Sequence, residues 1–212
     1  MLAKLLGVVL LGIVRLLTGA QARWYGCPPK AEQRIYFANH QSHIDLVMIW
    51  AALPEELRSI TRPIAARDYW ASPPWKRWIT TEVFNAIYVE RGAAPAAEGA
   101  PPPDPLAPLQ PLIDALTSGD SIIIFPEGTR GHSGEPQKFK SGLYTLAQMF
   151  PEAVLVPAWI DNVQRVMPKG EVVPVPILCS VTFGAPIRVE PGEERRPFLD
   201  RAREAVIALR SV

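Results

Sequence analysis

The chain is 212 residues long, with 22 basic against 21 acidic side chains and 48% hydrophobic residues. That length holds one substantial domain and barely two, and the balanced charge leaves no global attraction to a polyanion such as nucleic acid. Two cysteines, Cys27 and Cys179, stand far apart without C-x-x-C spacing; they make neither a disulfide framework nor a zinc ribbon and suit buried thiols in a reducing compartment.

The first 17 residues, MLAKLLGVVLLGIVRLL, are the most apolar stretch, yet the uncharged run between Lys4 and Arg15 is only ten residues long. At ~1.5 Å per residue it covers roughly half of a ~30 Å hydrocarbon core, so a comfortable transmembrane span is not expected. The segment alone leaves two readings open. One is a cleaved signal peptide with A-Q-A at 20–22 as its processing site. The other is a retained helix half-sunk in one leaflet, with Arg15 and Arg23 reaching for the headgroups. Lys4, Arg15, Arg23, Lys30 and Arg34 face only Glu32 in this region, which predicts a basic local surface suited to anionic lipid.

Strand and helix patterns then alternate. R-I-Y-F-A (34–38) predicts a strand, residues 42–53 a helix stopped by Pro54, and 59–65 another strand; the Trp/Pro-rich tract 71–80 fits neither pattern. Residues 86–90 predict a strand, 106–118 a helix closed by Gly119, and 121–125 a β-branched strand. A helix over 139–149, strands over 154–160 and 179–183 and a closing amphipathic helix over 198–209 complete the chain. This alternation predicts an α/β fold, a mixed and mostly parallel sheet flanked by helices, behind the N-terminal apolar segment. Residues 92–105, G-A-A-P-A-A-E-G-A-P-P-P-D-P, are low in complexity and are expected to form a mobile surface loop.

Two polar clusters follow predicted strands, where ligands of open α/β sheets collect. The first, N-H-Q-S-H-I-D (39–45), reads structurally as a capping box with Ser42 as N-cap and Asp45 at N3. The bend before such a helix can bring His40 and Asp45 together, whereas His43 would project elsewhere. A metal reading through His40, His43 and Asp45 also stands, but it lacks an evident further ligand, the remaining histidine being His132. The second, F-P-E-G-T-R (125–130), offers glycine-exposed backbone N–H groups and a guanidinium, a pairing suited to an anion. Lys138 and Lys140 follow at the start of a helix.

In this order and spacing the two clusters resemble the N-H-x-x-x-x-D and F-P-E-G-T-R blocks of the PlsC-like glycerophospholipid acyltransferases. A-I-Y-V-E-R-G (86–92) is similar to the family's second block and V-L-V-P-A-W-I (154–160) to its fourth. The resemblance covers residues 34 to about 190. It implies an acyltransferase domain over 23–212 behind a membrane-associating helix over 1–22, on the cytosolic face of the cytoplasmic membrane. It implies transfer of a fatty acyl group from acyl-CoA or acyl carrier protein to a lysophospholipid hydroxyl, with lysophosphatidic acid the foremost acceptor, and no resident cofactor or metal. His40 would be the general base, oriented by Asp45; imidazole is the side chain that titrates near neutrality. Arg91 and Arg130 would clamp the acceptor phosphate, and Glu127, Gly128, Thr129 and Lys140 would complete the substrate site. The chain departs from the family pattern in having Glu90, not Asp, before Arg91. It also lacks the lysine that commonly precedes the second block, where P-I-A-A-R-D leaves only Arg67. A retained helix fits a cytosolic donor, and an exported metal-dependent hydrolase is the competing reading.

Overall fold

The computed structural model describes residues 2–19, 21–42, 44–90, 104, 106–131, 134–161 and 178–212. Strand β2 (Arg34–Ala38) is central in a seven-stranded sheet, flanked in parallel by β5 (Ser121–Ile124) and β6 (Val154–Asp161). Beyond β5 come β3 (Thr61–Ala66) and β4 (Ile87–Val89), also parallel. Beyond β6, β7 (Ser180–Phe183) runs antiparallel, and β1 (Gln21–Trp24) closes that edge parallel to β7. The predicted mixed, mostly parallel sheet is therefore present.

Strands β2 and β5 are buried at every position, as expected of central parallel strands with both faces covered. Their side chains alternate between two cores. Ile35, Phe37, Ile122 and Ile124 pack beneath helices α6 (Gln110–Thr117), α7 (Gly142–Met149) and α8 (Arg195–Ala208). Tyr36, Ala38 and Ile123 face α2 (Asp45–Ala52), whose eight residues are all buried. Outside α2 lies α1 (Leu2–Thr18), which packs Leu10, Leu11 and Val14 on this core and donates from the Arg15 guanidinium to the Ala51 carbonyl at 3.4 Å. An apolar helix wedged between sheet and helix explains why α2 shows no polar face.

Four differences from the sequence reading have clear causes. Gln21–Trp24 is a strand that the sequence does not announce. It is four residues long, half-exposed, and held by pairing with β7 and by Trp24 stacking on Phe183 at 4.2 Å, so a boundary drawn at residue 22 falls inside it. Arg34 is not part of a basic surface. It is 1% exposed and spends its guanidinium on Glu32 at 2.6 Å, the Pro28 carbonyl at 2.9 Å and the Cys27 sulfur at 3.4 Å. The 71–80 tract forms α5 (Pro74–Trp78), which starts on a proline and runs into a π-helical turn at Ile79–Val83; short helices α3 (Glu55–Ser59) and α4 (Arg67–Trp70) precede it. Helix α2 begins at Asp45 and not at Ser42. The proposed loop 92–105 lies outside the described residues except for Asp104.

Candidate active site

The loop after β2 is pinned from both sides. Asn39 is 1% exposed and exchanges two hydrogen bonds with Ile160 of β6, accepting from its N–H at 2.8 Å and donating to its carbonyl at 3.0 Å. The main chain of His40 is then held by the turn after β5. Its N–H donates to Glu127 Oε1 at 2.8 Å, and its carbonyl accepts from Gly131 N–H at 2.8 Å. The imidazole stacks on the Phe125 ring, centroids 4.3 Å apart. The sequence reading gave no role to Asn39 or Phe125. Their signal was present in the asparagine just past a buried strand and the aromatic at the end of β5.

With the loop fixed, His40 Nδ1 lies 2.9 Å from Asp45 Oδ2. The same oxygen accepts from the N–H groups of Gln41 at 2.6 Å and Ser42 at 2.8 Å. Asp45 is 1% exposed, so this triple acceptance is what allows a carboxylate to sit at the buried start of α2. The capping box is half realised. Asp45 returns to the Ser42 N–H, but Ser42 Oγ reaches only the Ile44 N–H at 3.5 Å, and the helix starts three residues late. A carboxylate acceptor puts the proton of a neutral imidazole on Nδ1, which leaves the Nε2 lone pair as the basic site. His43 and His132 lie outside the described residues.

Glu127 is 2% exposed and gives its second oxygen to the Gln137 N–H at 2.8 Å. Burial pushes its carboxyl up in pKa, opposed by those two amide donors. It therefore faces backbone and not the cavity, unlike the substrate contact its sequence position suggested. Gly128 takes φ +70° and is crossed by Lys140: a Cβ there would lie 2.5 Å from Nζ and 2.8 Å from Cε. The Lys140 main chain is tied to the same turn through its N–H to the Pro126 carbonyl at 2.9 Å.

His40, Gly128, Thr129 and Lys140 line the rim of a cavity of about 440 Å³. The rest of its wall is mainly apolar. Ile64, Ala66 and Ile124 come from the sheet, Leu109 and Leu112 from α6 and the turn before it, and Leu143 and Leu146 from α7. Trp70 and Glu90 complete the wall on the β3–β4 side, where Arg67 approaches Glu90 at 3.7 Å. Arg130 is half-buried just past Thr129 and is not among the lining residues; Arg91 lies outside the described residues. Cys27 and Cys179 are buried in the core facing α2, where desolvation raises both thiols, Cys179 to about 11, so neither is a ready thiolate. A polar rim carrying a His–Asp pair above an apolar slot can hold an amphipathic substrate and take a proton from a hydroxyl or water at its mouth.

The family model described as Acyltransferase matches residues 27–161. The chain belongs to that family, as the PlsC-like resemblance of its sequence led us to expect. Among characterised relatives, it is 26% identical over 186 residues to the human 1-acyl-sn-glycerol-3-phosphate acyltransferase alpha, covering 85% of this chain and 60% of that one. It is 26% identical over 149 residues to a chloroplastic 1-acyl-sn-glycerol-3-phosphate acyltransferase of Arabidopsis thaliana, covering 68% and 36%. The chain thus spans between about a third and three-fifths of the length of such relatives. The crystal structure of the 1-acyl-sn-glycerophosphate acyltransferase PlsC from Thermotoga maritima shares the fold, with a TM-score of 0.67 at 20% identity over 99% of this chain and 82% of that one.

Proposed function

We propose that the protein transfers a fatty acyl group from an acyl thioester, acyl-CoA or acyl carrier protein, to the free hydroxyl of a lysophospholipid, foremost lysophosphatidic acid. The observation that carries this reading is the His40–Asp45 pair on the rim of an apolar slot. In the proposed reaction His40 Nε2 takes the proton from the acceptor hydroxyl as that oxygen attacks the thioester carbonyl carbon. Asp45 stabilises the resulting imidazolium through Nδ1–H. The C–S bond then breaks, and the departing thiolate takes the proton from Nε2. The slot receives the acyl chain. Lys140 at the rim, with Arg130 and Arg91 assigned by resemblance, meets the acceptor phosphate. The names of the relatives above favour lysophosphatidic acid over other lysolipids as the acceptor.

The acceptor resides in a bilayer, and α1 supplies a surface to match. Among the described residues no helix is long and apolar enough to cross a membrane. α1 nonetheless exposes Leu5, Val8, Val9, Ile13 and Leu16 opposite the face that packs on the domain. We read it as a helix that rests in the cytosolic leaflet of the cytoplasmic membrane. Transfer is tested with labelled acyl-CoA and acyl carrier protein donors against a panel of lysolipids. His40→Ala should lower turnover by about 10²–10⁴-fold in a chain that still unfolds cooperatively, at a midpoint lowered by the lost Asp45 bond and Phe125 stacking. Full turnover in that variant would refute the mechanism.

A further inference from the structure

One exposed surface is not used by the proposed acyl transfer. Helix α5 carries Trp75 and Trp78, three positions apart and so on one face, 60% and 38% exposed. Lys76 lies 4.2 Å over the Tyr69 ring and 5.8 Å from that of Trp75, and Arg77 is exposed beside it. The helix itself, P-W-K-R-W, contains no acidic residue; Asp68 on α4 and Glu82 on the following turn are the acidic groups nearest in sequence.

This patch has neighbours on two sides. Tyr69 meets Trp70 edge-on, centroids 5.2 Å apart, and Trp70 lines the cavity. In the other direction α5 runs into the π-helical turn, whose Val83 lies 3.4 Å from where Gly7 of α1 would carry a Cβ. The indoles therefore belong to a segment that adjoins both the cavity wall and the helix read above as lipid-resting.

We propose that α5 is a second lipid-contacting element, with Trp75 and Trp78 seated at the headgroup boundary of an anionic leaflet and Lys76 and Arg77 meeting lipid phosphates. The inference rests on the reading of α1 as a leaflet-resting helix and adds an independent point of contact to it. An indole is an apolar body with one polar N–H, which favours the boundary between hydrocarbon and water over either phase. Cations on flexible stems beside such rings complement anionic headgroups. The consequence is geometric. One helix lying on a surface leaves the domain free to roll about the helix axis. A second contact beside Trp70 fixes that roll and keeps the cavity wall next to the lipid from which an acceptor would enter.

The test uses the full chain with vesicles of phosphatidylcholine alone, phosphatidylcholine with phosphatidylglycerol, and the same mixture with brominated acyl chains. The wild type should partition more tightly onto the anionic vesicles, and bromine should quench its tryptophan emission. W75S/W78S should weaken partitioning roughly 10- to 100-fold and lose most of the quenching. K76Q/R77Q should reduce the preference for phosphatidylglycerol, leaving the share that Arg15 and Arg23 supply, while keeping the quenching; an unchanged preference would overturn the role of Lys76 and Arg77. Circular dichroism, and turnover of a detergent-dispersed acceptor, should match wild type in both variants. Undiminished binding and quenching in W75S/W78S would overturn the proposal. So would a wild-type dimer in sedimentation that this substitution dissociates, because the rings would then cover a second copy. Failure of the wild type to bind any vesicle would overturn α1 and α5 together. Vesicle partitioning is read without any reaction, so a chain that binds as described but never transfers an acyl group would count against the proposed function alone.

Discussion

Glu127→Gln preserves size and shape but turns one acceptor into a donor. In the wild type each carboxylate oxygen takes one backbone N–H, those of His40 and Gln137, both at 2.8 Å. A carboxamide has one carbonyl oxygen, so one of these two amides must face an NH₂ group. Leaving a buried donor unpaired costs about 1–3 kcal/mol, and losing the charge at the surviving bond costs about 1 kcal/mol more. Burial already raises the Glu127 pKa, so removing the charge relieves part of its desolvation and offsets some of that loss. The net expectation is a destabilisation of about 2 kcal/mol in urea unfolding with an unchanged m-value. The rate should suffer too, because the His40 N–H is one of the two main-chain anchors beneath the imidazole. A displacement of about 1 Å at a reacting group can cost about 10²-fold. The loss should appear in kcat and leave the acceptor KM near its wild-type value, since Glu127 is 2% exposed and not part of the cavity wall. A variant with raised KM and intact kcat would mean that the carboxylate reaches substrate. One with wild-type stability and rate would refute the hydrogen-bond argument itself.

Gly128→Ala combines a residue at φ +70° with a Cβ placed 2.5 Å from Lys140 Nζ. The backbone strain is about 1–2 kcal/mol, and the lysine must leave the rim. Steady-state kinetics should show a higher KM for a phosphate-bearing acceptor and little change for the acyl donor; equal changes in both would contradict a phosphate role for Lys140. Alkaline stability follows from two buried acids, Tyr36 raised by desolvation to about 12 and Cys179 to about 11. Both folded-state values lie above their unfolded ones. The stability they contribute is complete below the unfolded pKa values and is lost as pH rises through the folded ones, by about 2–3 kcal/mol for each group. Urea midpoints should fall between pH 9 and 12, and Y36F should flatten the decline above pH 10; an unchanged slope in Y36F would refute that assignment.

The parts of the fold legible in the sequence are those whose signal is local. The unbroken apolar run of β5 and the patterns behind β2, β6 and α7 each depend on a few consecutive residues. β1 exists only because β7 is there to pair with it, and nothing in Q-A-R-W announces a strand. Arg34 reads as surface by residue type. Its burial depends on Glu32, Pro28 and Cys27 folding around the guanidinium, which no window of hydropathy registers. At the site, the five-residue spacing of His40 and Asp45 was readable because the bend and the helix start lie between them in sequence. The part played by Glu127 was not, since its partner at His40 is 87 residues away.

That long-range partnership bears on what the two motifs are. N-H-Q-S-H-I-D and F-P-E-G-T-R read as two separate sets of functional groups, a base and an anion binder. In space they are one unit, because β2 and β5 are adjacent parallel strands and their ends emerge side by side. The second motif supplies a carboxylate to the His40 N–H through Glu127, an aromatic face to its ring through Phe125, and, with the Gly131 that follows, a donor to its carbonyl. Phe125, Pro126, Gly128, Thr129 and the neighbouring Lys140 also line the cavity from that side. F-P-E-G-T-R therefore both lines the cavity and holds His40, and Glu127 is the member that acts on His40 without reaching the cavity. Substitutions at Glu127 should accordingly resemble a misplaced base in their kinetics more than a lost binding contact, whereas those at Phe125 should show both effects.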